Sequence, residues 1–276
     1  MKKANFPRMP RSSFHLFPLL FALIFTSCEK DTLVYPESDP EPVDLRFDSG
    51  NHKSEKSNTF YGPAQQMGGG VIQAFAVMTH SGVPQAVGIR FKEKTLEGLP
   101  HHPEEITLRL PNKASGLYID HIDLGWNPQG HEPPGVYDIP HFDIHFYYIS
   151  EWEKMQMTDP VKGDIVPPPS HWPYKYVPTP GFVPMMGKHW LNLDSNEANG
   201  LTFDQTLIYG SYDGEFIFIE PMITLEYLEM KTSQEFAISQ PSNFQATGYY
   251  YPTKYSINYD ETKKQYTVVL FDMVWR

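Results

Sequence analysis

Residues 126–148 read WNPQGHEPPGVYDIPHFDIHFYY and decide how the chain is read. Pro128, Pro133, Pro134 and Pro140 make the first half extended, because proline has no N–H and disfavours α geometry in the preceding residue. From His141 to Phe146 polar and apolar residues alternate, the period of a half-buried strand. Such a strand points His141, Asp143 and His145 to one face and Phe142, Ile144 and Phe146 to the other. Two imidazoles and a carboxylate aimed together form one wall of a metal or acid/base site. The alternative is a solvated edge strand whose histidines bind nothing. A helical His-Glu-x-x-His reading fails, because Phe142 stands where the general base belongs and Pro140 opposes a helix. Residues four apart on a flat strand are about 13 Å apart. Two histidines therefore share an ion only on a kinked strand. Otherwise one pairs with Asp143, about 7 Å away, and the other supports from behind.

Outward from this strand, residues 60–276 suit one large β domain. Aromatic residues make up 14% of the chain, and its 26 prolines favour many short strands over long helices. Strands are predicted at 71–79, 85–91, 106–110, 117–124, 141–149, 206–212, 215–220, 223–230, 254–259 and 265–275. Turns at 80–82 and 260–263 join the first and last pairs as hairpins. Only 150–157 reads as helix, with Ser150 as N-cap and Glu153 completing a capping box. The segment 160–184, with Pro167, Pro168 and Pro169, is a long loop suited to covering a site. The expected class is mainly β: a single antiparallel sandwich or barrel-like domain with one short helix and long proline-rich loops.

The N-terminus carries an address. Lys2, Lys3, Arg8 and Arg11 precede an apolar run from Phe14 to Phe25, followed by Thr26-Ser27-Cys28, the pattern of a bacterial signal peptide over 1–27. The run is too short for a good membrane span. Cys28 is the only cysteine and has no internal disulfide partner; its place resembles a lipoprotein box, where it would be lipidated. Residues 28–59 then form an acidic, polar tether with too few apolar side chains to fold. The expected location is the bacterial cell envelope, lipid-anchored to a membrane, with the outer membrane or cell surface favoured by Glu29 and Asp31. Removal of the leader's four positive charges takes the net charge from −11 to −15, which argues against nucleic acid as a partner.

Other chemistries find no motif. There is no Gly-x-Ser-x-Gly elbow, no phosphate-binding loop and no dinucleotide fingerprint. Gly68-Gly69-Gly70 reads as a flexible entry to a strand. Two later residues are candidates to complete the histidine site: His189, after Gly187, and Glu220, before Pro221. For Glu220 the commoner reading of such a residue is an exposed carboxylate on the sheet rim. His121 and Asp123 alternate on the strand leading to Trp126 and are further candidates for the same pocket.

The order Trp-Asn-Pro-x-Gly-His-x-Pro from Trp126, Pro-His-Phe-Asp-x-His-Phe-Tyr from Pro140, Gly-x-His from Gly187 and Phe-x-Glu-Pro from Phe218 resembles the TTHB210-like family of secreted bacterial domains. The resemblance spans roughly 69–221 and implies an extracytoplasmic β-rich domain that binds metal, without a named reaction. The block is also faintly similar to cupin metal motifs, but it lacks their His-x-His pair. The expected ligand set is His131, His141, Asp143, His145, His189 and Glu220 converging on one ion. Imidazole and carboxylate without thiolate suit zinc, iron, manganese, copper or nickel. A metal-dependent enzyme, hydrolase or oxygenase-like, is one alternative. Another is a metal-free glycan- or partner-binding module in which Trp126, Trp172, Trp190 and the tyrosines stack on ligand.

Overall fold

The structure is a computed structural model that describes residues 56–276; the expected signal peptide, Cys28 and nearly all of the tether lie outside the described residues. One sheet has six strands in the order β1 (Ser57–Met67), β2 (Gly70–Thr79), β3 (Pro84–Lys92), β13 (Gln265–Trp275), β12 (Tyr250–Asp260) and β11 (Gln234–Ala237). The other has seven, in the order β4 (Glu104–Arg109), β5 (His121–Asn127), β6 (His141–Tyr147), β10 (Glu215–Thr224), β9 (Gln205–Tyr212), β8 (Lys188–Asn192) and β7 (Tyr176–Pro178). Every pairing in both sheets is antiparallel. The hairpins predicted at 80–82 and 260–263 join β2 to β3 and β12 to β13.

The two sheets share one core. Ile72 and Ala74 of β2, Val87 and Ile89 of β3 and Val268 and Leu270 of β13 meet residues from the seven-stranded sheet. Those include Ile122 and Leu124 of β5 and Phe142, Ile144 and Phe146 of β6. Burying each of the larger side chains contributes about 1.5–3 kcal/mol, so this contact fixes which face of β6 looks inward. The architecture is a sandwich and not a closed barrel.

The opposite face of β6 corrects the expectation of a half-buried strand. All seven residues of β6 are buried. The reason is a second layer of chain laid over the outer face of the seven-stranded sheet. Tyr137 and Phe203 pack on Ile208 and Met222, with Val136 and Ile139 against them. Met157 packs on Tyr147, Ile217 and Phe218, with Met186 alongside. Val136, Tyr137, Ile139, Met157, Met186 and Phe203 therefore roof the histidine strand, and its polar face is an interior; the expected covering loop 160–184 contributes no side chain to these two clusters.

Helix α1 (Glu151–Gln156) begins as the sequence predicts: Ser150 accepts from the Glu153 amide, and the Glu153 side chain returns to the Ser150 amide. Two further short helices, α2 (Pro160–Gly163) and α3 (Leu225–Glu229), were not expected. The strand predicted at 223–230 ends at Thr224, whose side chain accepts from the Tyr227 amide and starts α3. Residues 215–224 form one strand through Pro221. Pairing to β6 skips Glu220 and Pro221, leaving Pro221 opposite Leu207 of β9, so the missing N–H breaks little. β1 went unread because Gly62 and Pro63 interrupt its pattern; they sit at a register shift between Tyr61 and Ala64. It begins at Ser57, three residues inside the segment expected to be tether.

Candidate metal centre

Strand register gathers the polar side chains. Across β5 and β6, Asp123 lies opposite His145 and Asn127 opposite His141. On the other side of β6, β10 places Met222 opposite Asp143 and Thr224 opposite His141. A register shift between Phe216 and Phe218 changes which residues of β10 face the core. Phe216 and Ile219 join the main core, while Phe218 faces the roofed side. Glu220 follows on that roofed side and is only 2% exposed, so the rim reading of this carboxylate is overturned. His189 arrives from β8 through its pairing with Gly210. Gly187 makes that approach possible: its φ is 75°, and a Cβ there would stand 2.3 Å from the Ser211 carbonyl oxygen.

The six expected ligands form two groups, in each of which one ligand atom per residue lies within 4.8 Å of the others. The first is His131, His141 and Asp143. His131 Nε2 is 3.2 Å from Asp143 Oδ2, and His141 Nε2 is 3.1 Å from Asp143 Oδ1. Each imidazole is held from behind: His141 Nδ1 lies 2.7 Å from the Ile139 carbonyl and His131 Nδ1 2.7 Å from that of Glu132. Donation from Nδ1 to a carbonyl would leave Nε2 of a neutral imidazole available to ligate a metal. Asn127 donates to Asp143 Oδ2 at 2.7 Å and fixes the carboxylate. Burial pushes the Asp143 carboxyl up, but the facing imidazoles outweigh it and hold it below the usual carboxylate range. Burial likewise works against charge on His131, and the Asp143 carboxylate reverses that, raising the imidazole above its ordinary value.

The second group is His145, His189 and Glu220. His145 Nε2 lies 3.3 Å from Glu220 Oε2, both side chains 2% exposed. Burial lowers His145 and His189 to about 4 each. Burial, reinforced by the Asp143 and Glu105 charges, raises Glu220 well above the carboxylate range. The Phe218 ring packs near both imidazoles, 4.8 Å from that of His145 and 5.8 Å from that of His189.

Five atoms at the heart of these groups are buried without a hydrogen-bond partner: His141 Nε2, Asp143 Oδ1, His145 Nδ1, His145 Nε2 and Glu220 Oε2. Two pairs among them stand at 3.1 and 3.3 Å yet miss hydrogen-bond geometry. Two donors held about 2.0–2.1 Å from a tetrahedral ion stand about 3.3 Å apart. The donor sets therefore have the chemistry and the spacing of groups that could hold a metal.

A third cluster supports the face. Asp123, fully buried, is ion-paired with Lys154 of α1 and accepts from Thr107 Oγ1 at 2.7 Å. Lys154 also reaches Glu105 at 3.1 Å, and His121 Nε2 lies 3.8 Å from Asp123. The Tyr147 ring stacks between His121 and His145, at 5.0 and 5.6 Å. His121 and Asp123 thus share the face without joining either ligand group. Lys154 and Asn127 were missed as site residues; the capping box placed α1, but no spacing in the sequence aims Lys154 at Asp123.

Trp126, Trp172 and Trp190 do not form the expected ligand platform. Trp126 and Trp190 are 4% and 0% exposed in the main core, their indole N–H groups donating to the Pro100 carbonyl and Ser211 Oγ. Trp172 packs edge-on against Trp190 at 4.9 Å.

No curated protein and no solved structure matches the chain. A family model does, over residues 79–126, which run from the end of β2 through β3 and β4 to Trp126 on β5. The matched span holds His121 and Asp123 and stops where the histidine block begins. That family is TTHB210-like, described as hypothetical protein TTHB210, the same family that the histidine block resembles.

Proposed function

We propose that this protein is a cell-envelope lipoprotein whose β-sandwich binds divalent transition metal on the roofed face of its seven-stranded sheet, with one ion for each three-residue group. The carrying observation is the set of five buried, unpartnered ligand atoms. Without an ion they are costly, because a buried polar atom left unpaired costs about 1–3 kcal/mol. One ion in each group would satisfy the atoms of that group and add its binding energy to the folded state. Imidazole and carboxylate donors without thiolate favour zinc, iron, manganese, copper or nickel.

A second reading, a metal-dependent enzyme, is favoured at the first group alone. The His131 side chain is 40% exposed while those of His141 and Asp143 are buried, so this group lies next to solvent. Three protein ligands beside an open, solvent-reached position suit Lewis-acid or metal-hydroxide chemistry. The second group, enclosed by Phe218 and the roof, suits a structural ion.

Elemental analysis of protein purified without a histidine tag tests both. The expected result is close to two ions per chain, one lost in Asp143→Ala and the other in Glu220→Ala. Wild-type protein that carries none and gains none on titration refutes the proposal. Chelator-sensitive hydrolysis or oxygenation that disappears in Asp143→Ala and survives in Glu220→Ala supports the enzyme. For the anchor, radiolabelled fatty acid should enter wild type and not Cys28→Ala; an unlabelled wild type removes the lipoprotein reading.

A further inference from the structure

The other side of the seven-stranded sheet carries a second feature, a small cleft open to solvent. Tyr209, Phe216, Phe244 and Tyr251 form much of its wall. Tyr209 and Phe216 belong to the main core, so the cleft enters between the sheets and not beneath the roof. Its walls are braced before any ligand arrives. The Gln245 amide accepts from the Phe216 N–H at 2.7 Å and donates to the Phe216 carbonyl at 2.6 Å. Tyr251 donates to the Ala246 carbonyl at 3.0 Å, and its ring packs on Phe244 at 4.6 Å.

Two polar atoms of the lining are buried and unpartnered: Gln240 Oε1 and His171 Nδ1. Gln240 has no freedom to turn its oxygen elsewhere. Its Nε2 already donates to the carbonyls of Ile238 and Pro252, at 2.9 and 3.1 Å. Gln240 Oε1 therefore requires a donor, while the imidazole nitrogen takes a donor or an acceptor according to its tautomer. A hydroxyl supplies either. The lining residues include no Asp, Glu, Lys or Arg, so a charged ligand would lose its hydration without gaining a counter-charge.

We infer that this cleft is a binding site for a neutral, hydroxylated ring, a pyranose sugar, seated on the aromatic walls with hydroxyls at Gln240 Oε1 and His171 Nδ1. A plain aromatic ligand would use the walls but leave both atoms unpaired. An acidic sugar would bury its carboxylate against uncharged groups. The site is independent of the metal reading, because its residues lie across the sheet from both ligand groups.

Saturation-transfer NMR on the full-length protein tests the inference with glucose, galactose, N-acetylglucosamine, glucuronic acid and phenol as probes. Saturable binding of at least one neutral pyranose is expected, unaffected by chelator. Removing the amide acceptor in Gln240→Leu should weaken it about tenfold, the loss of one good hydrogen bond. His171→Phe is the second variant and carries the test if Gln240→Leu does not fold. A linear oligosaccharide of the same sugar separates the two sources: tighter binding than the monosaccharide identifies a glycan chain, equal binding a free sugar. The inference is overturned if no neutral pyranose binds, if phenol binds while the sugars do not, or if the folded variants bind as wild type does.

Discussion

Glu220→Gln should steepen the pH dependence of stability of the metal-free protein. The unfolded chain takes up protons on His145 and His189 near pH 6.5, whereas burial delays those protons in the folded state until about pH 4. Between these values the unfolded chain holds more protons on the two histidines, so their contribution is full above pH 6.5 and is lost as pH falls. Glu220 has the opposite sign. Its folded pKa is raised, so the folded state holds a proton that the unfolded chain releases above about pH 4.5, and the penalty shrinks as pH falls. Between pH 6 and 5 two protons oppose one, and wild type should lose about 1.4 kcal/mol per pH unit. In Glu220→Gln the opposing proton is gone, and the loss should approach ~2.7 kcal/mol per unit. His131 adds no slope in this window, because its pKa lies above its unfolded value and it is protonated in both states there. Urea denaturation in chelator at pH 6.0, 5.5 and 5.0 measures both slopes. A variant slope equal to or below that of wild type would refute the assignment of Glu220 as a buried, protonated acid facing neutral imidazoles.

Three other outcomes follow from the packing. Lys154→Met should destabilise the fold by about 3–5 kcal/mol in denaturant titration, because it strands the buried Asp123 charge, with much of the loss recovered in Lys154→Met combined with Asp123→Leu. Gly210→Ala would place a Cβ 2.1 Å from the Phe218 ring, so it should cost about 1–3 kcal/mol and weaken metal binding at His145 and His189 more than at His141, measured by competitive titration. Ser150→Ala removes one arm of the capping box and should lower stability by about 1 kcal/mol in the same denaturant assay, with metal content unchanged.

The faces of β6 were legible because alternation is a local property: Phe142, Ile144 and Phe146 entered the sandwich core as their parity required. The burial of the opposite face was not legible. Alternation reads the same whether polar side chains meet water or a roof, and the roof is assembled from segments as distant as Tyr137, Met157 and Phe203. The strand rise already made it hard for His141 and His145 to share an ion, and the structure gives each its own group. Which carboxylate joined which histidine depended on the β10 register shift and on Pro221, long-range pairing that spacing does not encode. Thr224 shows the limit at shorter range: an apolar run continued as strand until a hydroxyl cap turned it into α3.

The central claim is that two ions occupy the two groups, and anomalous diffraction at a bound metal's absorption edge tests it most directly. Crystals of metal-loaded wild type should show one peak about 2.0–2.2 Å from ligand atoms of His131, His141 and Asp143, and another at the same range from His145, His189 and Glu220. Peaks confined to exposed histidines such as His101 and His102, with neither group occupied, would contradict the account.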